Sequence, residues 1–226
     1  QSTHLKEVYA RGYVTGERTV GGLVGVVEFG SVIGAFAETS VASVFNGSGL
    51  LGFVQTALIT NTFSVGAVTA TDEDSEVAGI TSGMMNGAWL QSSFSSVTLT
   101  GDDRAGINIW FIHESGWLPI VDLDNYHVNE LSNNRASRGT ELTITEMTCP
   151  VEMNDVNCDM GNVFDGWDGT NIDGEPIWDF GTDSQFPGLV FRSEIFRDSD
   201  GDGRLDDRDD FPNDVSEYSD SDSDGV

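Results

Sequence analysis

The sequence predicts an all-β chain: a parallel β-helix (β-solenoid) of about four to five coils, a C-terminal cap, and an irregular acidic tail. Three observations predict it. A glycine-led apolar segment recurs as Gly22-Leu23-Val24-Gly25, Gly49-Leu50-Leu51-Gly52, Gly79-Ile80-Thr81-Ser82 and Gly106-Ile107-Asn108-Ile109, its leading glycines 27, 30 and 27 residues apart. Other landmarks keep that phase, among them Tyr9, Phe36, Phe63 and Phe94, each ahead of a short alternating run. Near Asp198 the composition then changes sharply: residues 198–226 hold eleven Asp and one Glu against two Arg.

The repeat array occupies residues 1–139, with 1–7 as an undetermined lead-in. In one unit, Tyr9–Val14 alternates at period two. A polar turn follows at Thr15–Thr19, then the apolar Gly22–Val27, a turn at Glu28–Ser31, and a third short strand from Val32. Period-two β-rich pieces between Gly, Ser, Asn and Asp turns read as strands. About three strands in 27–30 residues suit one solenoid coil, with equivalent strands pairing in parallel about 4.8 Å apart. The recurrence of Gly21–Gly25 makes it a structural corner and not a phosphate-binding loop. The acidic insertion Asp72–Glu76 should bulge outward as a solvated turn, and Tyr126-His127-Val128 should open a fifth, incomplete coil. Residues 140–197 read as the cap, because Trp167 and Ile177-Trp178-Asp179-Phe180 supply large apolar groups without repeating.

Composition excludes several roles. The formal charge of −28 repels phosphate backbones and anionic membranes, so no nucleic-acid partner is expected. No run of 18 apolar residues occurs, so no membrane insertion is expected. Residues 1–7 are polar and carry no secretory leader, and the sequence reads as a mature or cut fragment. Cys149 and Cys158 are not a C-x-x-C pair and have no histidine nearby. They read as a disulfide worth roughly 2–3 kcal/mol, which implies an oxidising compartment.

Catalysis is not expected. His4, His113 and His127 lie in no recognisable catalytic motif, and there is no G-x-S-x-G elbow. A β-helical carbohydrate-active enzyme is the alternative. Its paired carboxylates would come from Asp102, Asp103, Glu114, Asp122 and Asp124, which read more simply as turn residues. Trp89, Trp110 and Trp117 read as fillers of a core or cap, with an aromatic sugar platform as the alternative.

The sharpest chemical signal is Asp198-Ser199-Asp200-Gly201-Asp202-Gly203-Arg204-Leu205-Asp206-Asp207-Arg208-Asp209. Side-chain oxygens of Asp198, Asp200, Asp202, Asp206 and Asp209 stand at positions 1, 3, 5, 9 and 12. Glycine is at 6, and the backbone carbonyl of Arg204 is at 7. That is the layout of a calcium loop, since calcium takes six to eight hard oxygens and relieves the repulsion among crowded carboxylates. Phe211-Pro212 follows at once, so no EF-hand helix does. A second start, Asp220-Ser221-Asp222-Ser223-Asp224-Gly225, comes 22 residues on, with Asp214 and Glu217 as further candidates. Residues 198–226 resemble thrombospondin type-3 repeats, which implies aspartates wrapped around calcium ions.

Residues 8–191 resemble the GLUG-motif repeats of bacterial surface proteins. Gly22–Gly25 and Gly49–Gly52 carry the signature, the two later copies lose its last glycine, and Trp178–Thr182 with Gln185–Leu189 resembles the segment that closes such arrays. The resemblance implies an extracellular or cell-surface location and an adhesin or scaffold. Surface glycans or host and neighbour-cell proteins would be its partners. A filament subunit joined end to end by self-association through solenoid coils is the alternative.

Overall fold

Residues one period apart in sequence stand side by side in space. The computed structural model describes residues 2–112, 120–128, 139–148, 164, 166–167, 170 and 174–220, with only the backbone of 3 and 109–112. Contacts divide the chain into two units, Gln1–Thr143 and Ile144–Val226.

In the first unit, β1 (Thr3–Gly16) pairs in parallel with β3 (Val24–Ser43), Tyr9 opposite Phe36. β3 pairs with β5 (Leu51–Ala70), Phe36 opposite Phe63. β5 then meets β7 (Thr81–Met85) and β8 (Trp89–Thr100), with Leu51 opposite Thr81 and Leu58 opposite Trp89. β10 (Asn108–Ile112) lies on β7, β11 (Val121–Val128) on β8, and β12 (Thr140–Leu142) on β11. A narrower parallel sheet stacks β2 (Val20–Gly21), β4 (Asn46–Ser48), β6 (Glu76–Ala78) and β9 (Asp103–Ala105). Together these make a β-solenoid of about four turns.

The coils differ from the expected three short strands. β3 and β5 are continuous over 20 residues each and turn corners without ending. Single residues in the left-handed region make the corners. One set occupies equivalent positions at Glu7, Gly34, Asn61, Ser92 and Asp124, with φ between 51° and 59°; another is Phe29, Thr56 and Asn86. Such a residue resets the in–out alternation of a strand. Val32 and Ala35, on either side of Gly34, therefore both enter the same core cluster.

The interior is built of ladders. Val32, Ile59 and Leu90 lie in register in one core, and Val41, Val68 and Leu99 in a second. Tyr9, Phe36, Phe63 and Phe94 stack with centroids 4.9, 4.9 and 5.1 Å apart and rings within 7° of parallel. Thr62 Oγ1 lies 2.9 Å from Ser93 Oγ, and the Ser93 N–H donates to Asn125 Oδ1 at 3.0 Å, so the buried polar rungs satisfy one another.

At the glycine corner there is no room for a side chain. A Cβ on Gly22 would fall 2.1 Å from the Gly49 carbonyl oxygen, one on Gly49 2.4 Å from that of Gly79, and one on Gly79 1.8 Å from that of Gly106. Beyond Gly106 the pattern changes: a Cβ there would meet Cδ2 of His127 at 2.0 Å. Opposite Ser95 in the register, where earlier coils carry Ser64 and Ala37, His127 sets a buried imidazole against Gly106. Burial lowers its pKa to about 4.

The turn from Asp72 to Asp74 faces solvent as expected, while Ser75 is buried and its Oγ accepts the Asp102 N–H at 3.1 Å. No helix among the described residues is long and apolar enough to cross a membrane.

The second unit holds a short helix α1 (Ile144–Thr148) and an antiparallel sheet of β13 (Trp178–Asp179), β14 (Gly188–Phe191) and β15 (Glu194–Phe196). Arg192 and Ser193, both at positive φ, form the two-residue turn between β14 and β15. Phe164, Trp167 and Trp178 pack with successive ring centroids 4.6 Å apart. Cys149 and Cys158 lie outside the described residues.

Candidate metal centre

Leaving β15, the chain enters the aspartate loop through Arg197, whose guanidinium pairs with the Asp179 carboxylate and donates to the Asp179 carbonyl at 2.8 Å. Three further bonds brace the loop. Phe186 N–H donates to Ser199 O at 3.1 Å, Gln185 Nε2 to Ser199 Oγ at 2.9 Å, and Asp206 N–H to Arg197 O at 2.8 Å. Leu205 is fully buried, ahead of one 3-10 turn at Asp206–Arg208.

Within the loop each aspartate folds the backbone around itself. Asp198, 2 % exposed, accepts N–H bonds from Gly201 at 2.8 Å and Gly203 at 3.0 Å. Asp200 accepts from the Asp202 N–H, and Asp202 from the Arg204 N–H. Asp206 accepts from both the N–H and the Oγ of Ser199, and Asp209 from the Phe211 N–H. Gly201 and Gly203 sit at φ 80° and 98°, and a Cβ on Gly201 would lie 2.9 Å from the Phe186 ring. Both positions therefore require glycine.

The outcome is an anionic cluster. One carboxylate oxygen each from Asp198, Asp200 and Asp202 lies within 4.8 Å of the others. The Oδ2 atoms of Asp200, Asp202 and Asp209 are shielded from water and have no hydrogen-bond partner. Burial, with the charges of Asp202 and Asp200 adding to it, raises the Asp198 pKa well above the usual carboxylate range. Burial likewise raises Asp200 and Asp206, and pushes Asp202 up to about 6. Asp209 acts on all three of these as a neighbouring negative charge. Oxygens that are dry, crowded and short of donors suit a hard cation.

The structure gathers Asp198, Asp200 and Asp202, and sets Asp206 and Asp209 close enough to perturb Asp200 electrostatically, and Asp209 close enough to perturb Asp202 as well. Asp220 is not in that group of three, and its N–H donates to Asp210 Oδ2 at 3.0 Å. Arg204 places its guanidinium 5.1 Å from the centroid of the Tyr218 ring. Asp222 and Asp224 are outside the described residues. Sequence reasoning missed Ser199, Gln185 and Phe186, which brace the loop from outside it, and the Asp214 N–H, which bonds Asp200.

Of the residues weighed for catalysis, Asp122 accepts from the amides of Asn108 and Asn125 at 3.0 and 2.5 Å, and Asp124 is a left-handed corner. His113, Glu114 and Trp117 lie outside the described residues. Trp89, expected in a core or cap, stands on the surface at 41 % exposure. No protein-family model, curated protein or solved structure matches the chain.

Proposed function

We propose that the chain is a segment of an extracellular bacterial adhesin or scaffold: a solenoid rod joined to a calcium-stiffened acidic element. Asp198, Asp200, Asp202, Asp206 and Asp209, with the Arg204 carbonyl, hold the calcium ion. The observation that carries this reading is the convergence of the first three carboxylates in a loop that shields spare oxygens of Asp200, Asp202 and Asp209 from water. The coils add a second support, because stacked ladders make a stiff body whose side chains between corners face outward in rows. The resemblances to GLUG-motif and thrombospondin type-3 repeats agree with both halves.

Calcium binds the folded loop and not the unfolded one, so at ten times its dissociation constant one site adds about 1.4 kcal/mol to the stability of the second unit. Limited trypsinolysis with and without chelator tests this. Chelation is expected to open cleavage at Arg197 and Arg204 while the far-UV circular dichroism of the array stays constant. Cleavage that ignores both calcium and chelator would overturn the metal assignment.

A further inference from the structure

Between its two left-handed corners each coil shows one short stretch to solvent, and the register lines these stretches up. Ser31, Leu58, Trp89 and Val121 form one outward row. Ile33, Thr60, Gln91 and Leu123 form the row beside it. Leu58, Trp89 and Leu123 are all exposed, against the fully buried Phe36 and Phe63 on another part of the same strands.

Trp89 is held in place. Its Nε1 donates to Gln91 Oε1 at 3.1 Å, and Gln91 is the next residue along the strand on the same face. That bond ties the exposed indole to its own strand, and Leu58 and Val121 are its register neighbours on the strands to either side. The remaining neighbours, Gln91 and Thr60, offer an amide and a hydroxyl.

Size and charge narrow the occupant. Strand spacing gives a strip about 20 Å long and about 10 Å wide. That is far below the roughly 800 Å² per partner of a stable protein interface. A narrow, flat, half-apolar strip with a fixed aromatic ring fits a linear carbohydrate, whose C–H face stacks on the ring while its hydroxyls bond the polar flanks. The charge of −28 repels uronates and sulfated chains. We propose that this strip binds an uncharged polysaccharide, with a pyranose on Trp89 and Gln91 and Thr60 as its hydrogen-bonding partners. This deepens the adhesive reading by giving the rod a ligand class, and rests on that reading for its biological setting.

Affinity electrophoresis of the whole chain in native gels cast with laminarin, xylan, galactomannan or hydroxyethylcellulose tests the proposal, with alginate as the polyanionic control. Retardation is expected in at least one neutral gel and not in alginate. Losing the stacked ring in Trp89→Ala should weaken binding about tenfold, and Trp89→Phe should keep most of it. Both variants should retain the wild-type circular dichroism, because the ring is at the surface. The assignment is overturned if folded wild type runs unretarded in every neutral gel, or if Trp89→Ala is retarded equally. Self-association in sedimentation that Trp89→Ala abolishes would hand the strip to a second copy of the chain. Protein-coated beads that adhere to bacterial surfaces equally with and without Trp89 would overturn the strip while leaving the adhesive reading intact.

Discussion

In the array, Phe63 lies between Phe36 and Phe94 at 4.9 and 5.1 Å. In the loop, Asp200 lies between Asp198 and Asp202 in sequence, with carboxylate oxygens of all three within 4.8 Å of one another. Both regions set like beside like, with opposite consequences. Aromatic rings in register attract and exclude water, so each added coil stabilises the last. Carboxylates gathered in one loop repel, and the proposed calcium would relieve that repulsion. Self-stacking is enough to build the array from apolar side chains, whereas on the proposed reading the acidic element depends on a cation.

Breaking the array should give the largest effect. Gly79→Ala would force a methyl group to 1.8 Å from the Gly106 carbonyl oxygen and 2.2 Å from Ser95 Oγ. A loss of at least about 4 kcal/mol is expected, enough to remove the array's cooperative transition in circular dichroism. Calcium titration of the aspartate loop should survive the change. Phe63→Ala should follow, costing about 3–5 kcal/mol in denaturant melts, equally with and without chelator.

The pH dependences of the two regions should run in opposite directions. His127 is neutral when folded, with a pKa near 4 against 6.5 for the ordinary side chain. The unfolded state binds the extra proton, so the array keeps this stability above pH 6.5 and loses it progressively as pH falls from 6.5 to about 4, by roughly 3 kcal/mol. His127→Gln should flatten that slope. Asp202, raised from 3.8 to about 6 chiefly by burial, has the reverse linkage. Without a divalent cation the second unit should be most stable below pH 3.8 and weaken as pH rises through about 6. Saturating calcium should cancel that loss. Calorimetry in chelator that shows both transitions moving the same way would refute the contrast.

The smallest effect tests the corners. Ser92 holds a left-handed backbone at φ 51° where the equivalent earlier residue is Gly34. Ser92→Gly should raise the array's melting free energy by up to about 1 kcal/mol.

The glycine period was legible in the sequence because the corner admits no other residue, and the 27, 30 and 27 spacing became the strand register itself. The left-handed corners were not legible. Glu7, Gly34, Asn61, Ser92 and Asp124 share a backbone conformation but no side-chain chemistry, so nothing recurs to be seen. For the same reason β3 and β5 read as separate short strands. His127 was placed at the opening of a further coil, but its burial was not legible, because that depends on Gly106 packing against it. In the loop, the spacing of aspartates and glycines marked out Asp198, Asp200 and Asp202, which the fold brings together. Gln185 and Phe186 gave no signal, since they reach Ser199 from a distant stretch of chain.

The coil from Gly49 to Gly79 is longer than its neighbours, and the extra residues leave through the Asp72–Ser75 turn. The rod is thus a ruler graduated in coils. A residue inserted at such a turn widens one coil and adds no reach, while a whole coil advances the far end by about 4.8 Å. Peptides grafted between Asp72 and Ser75 should therefore decorate the array without altering its length.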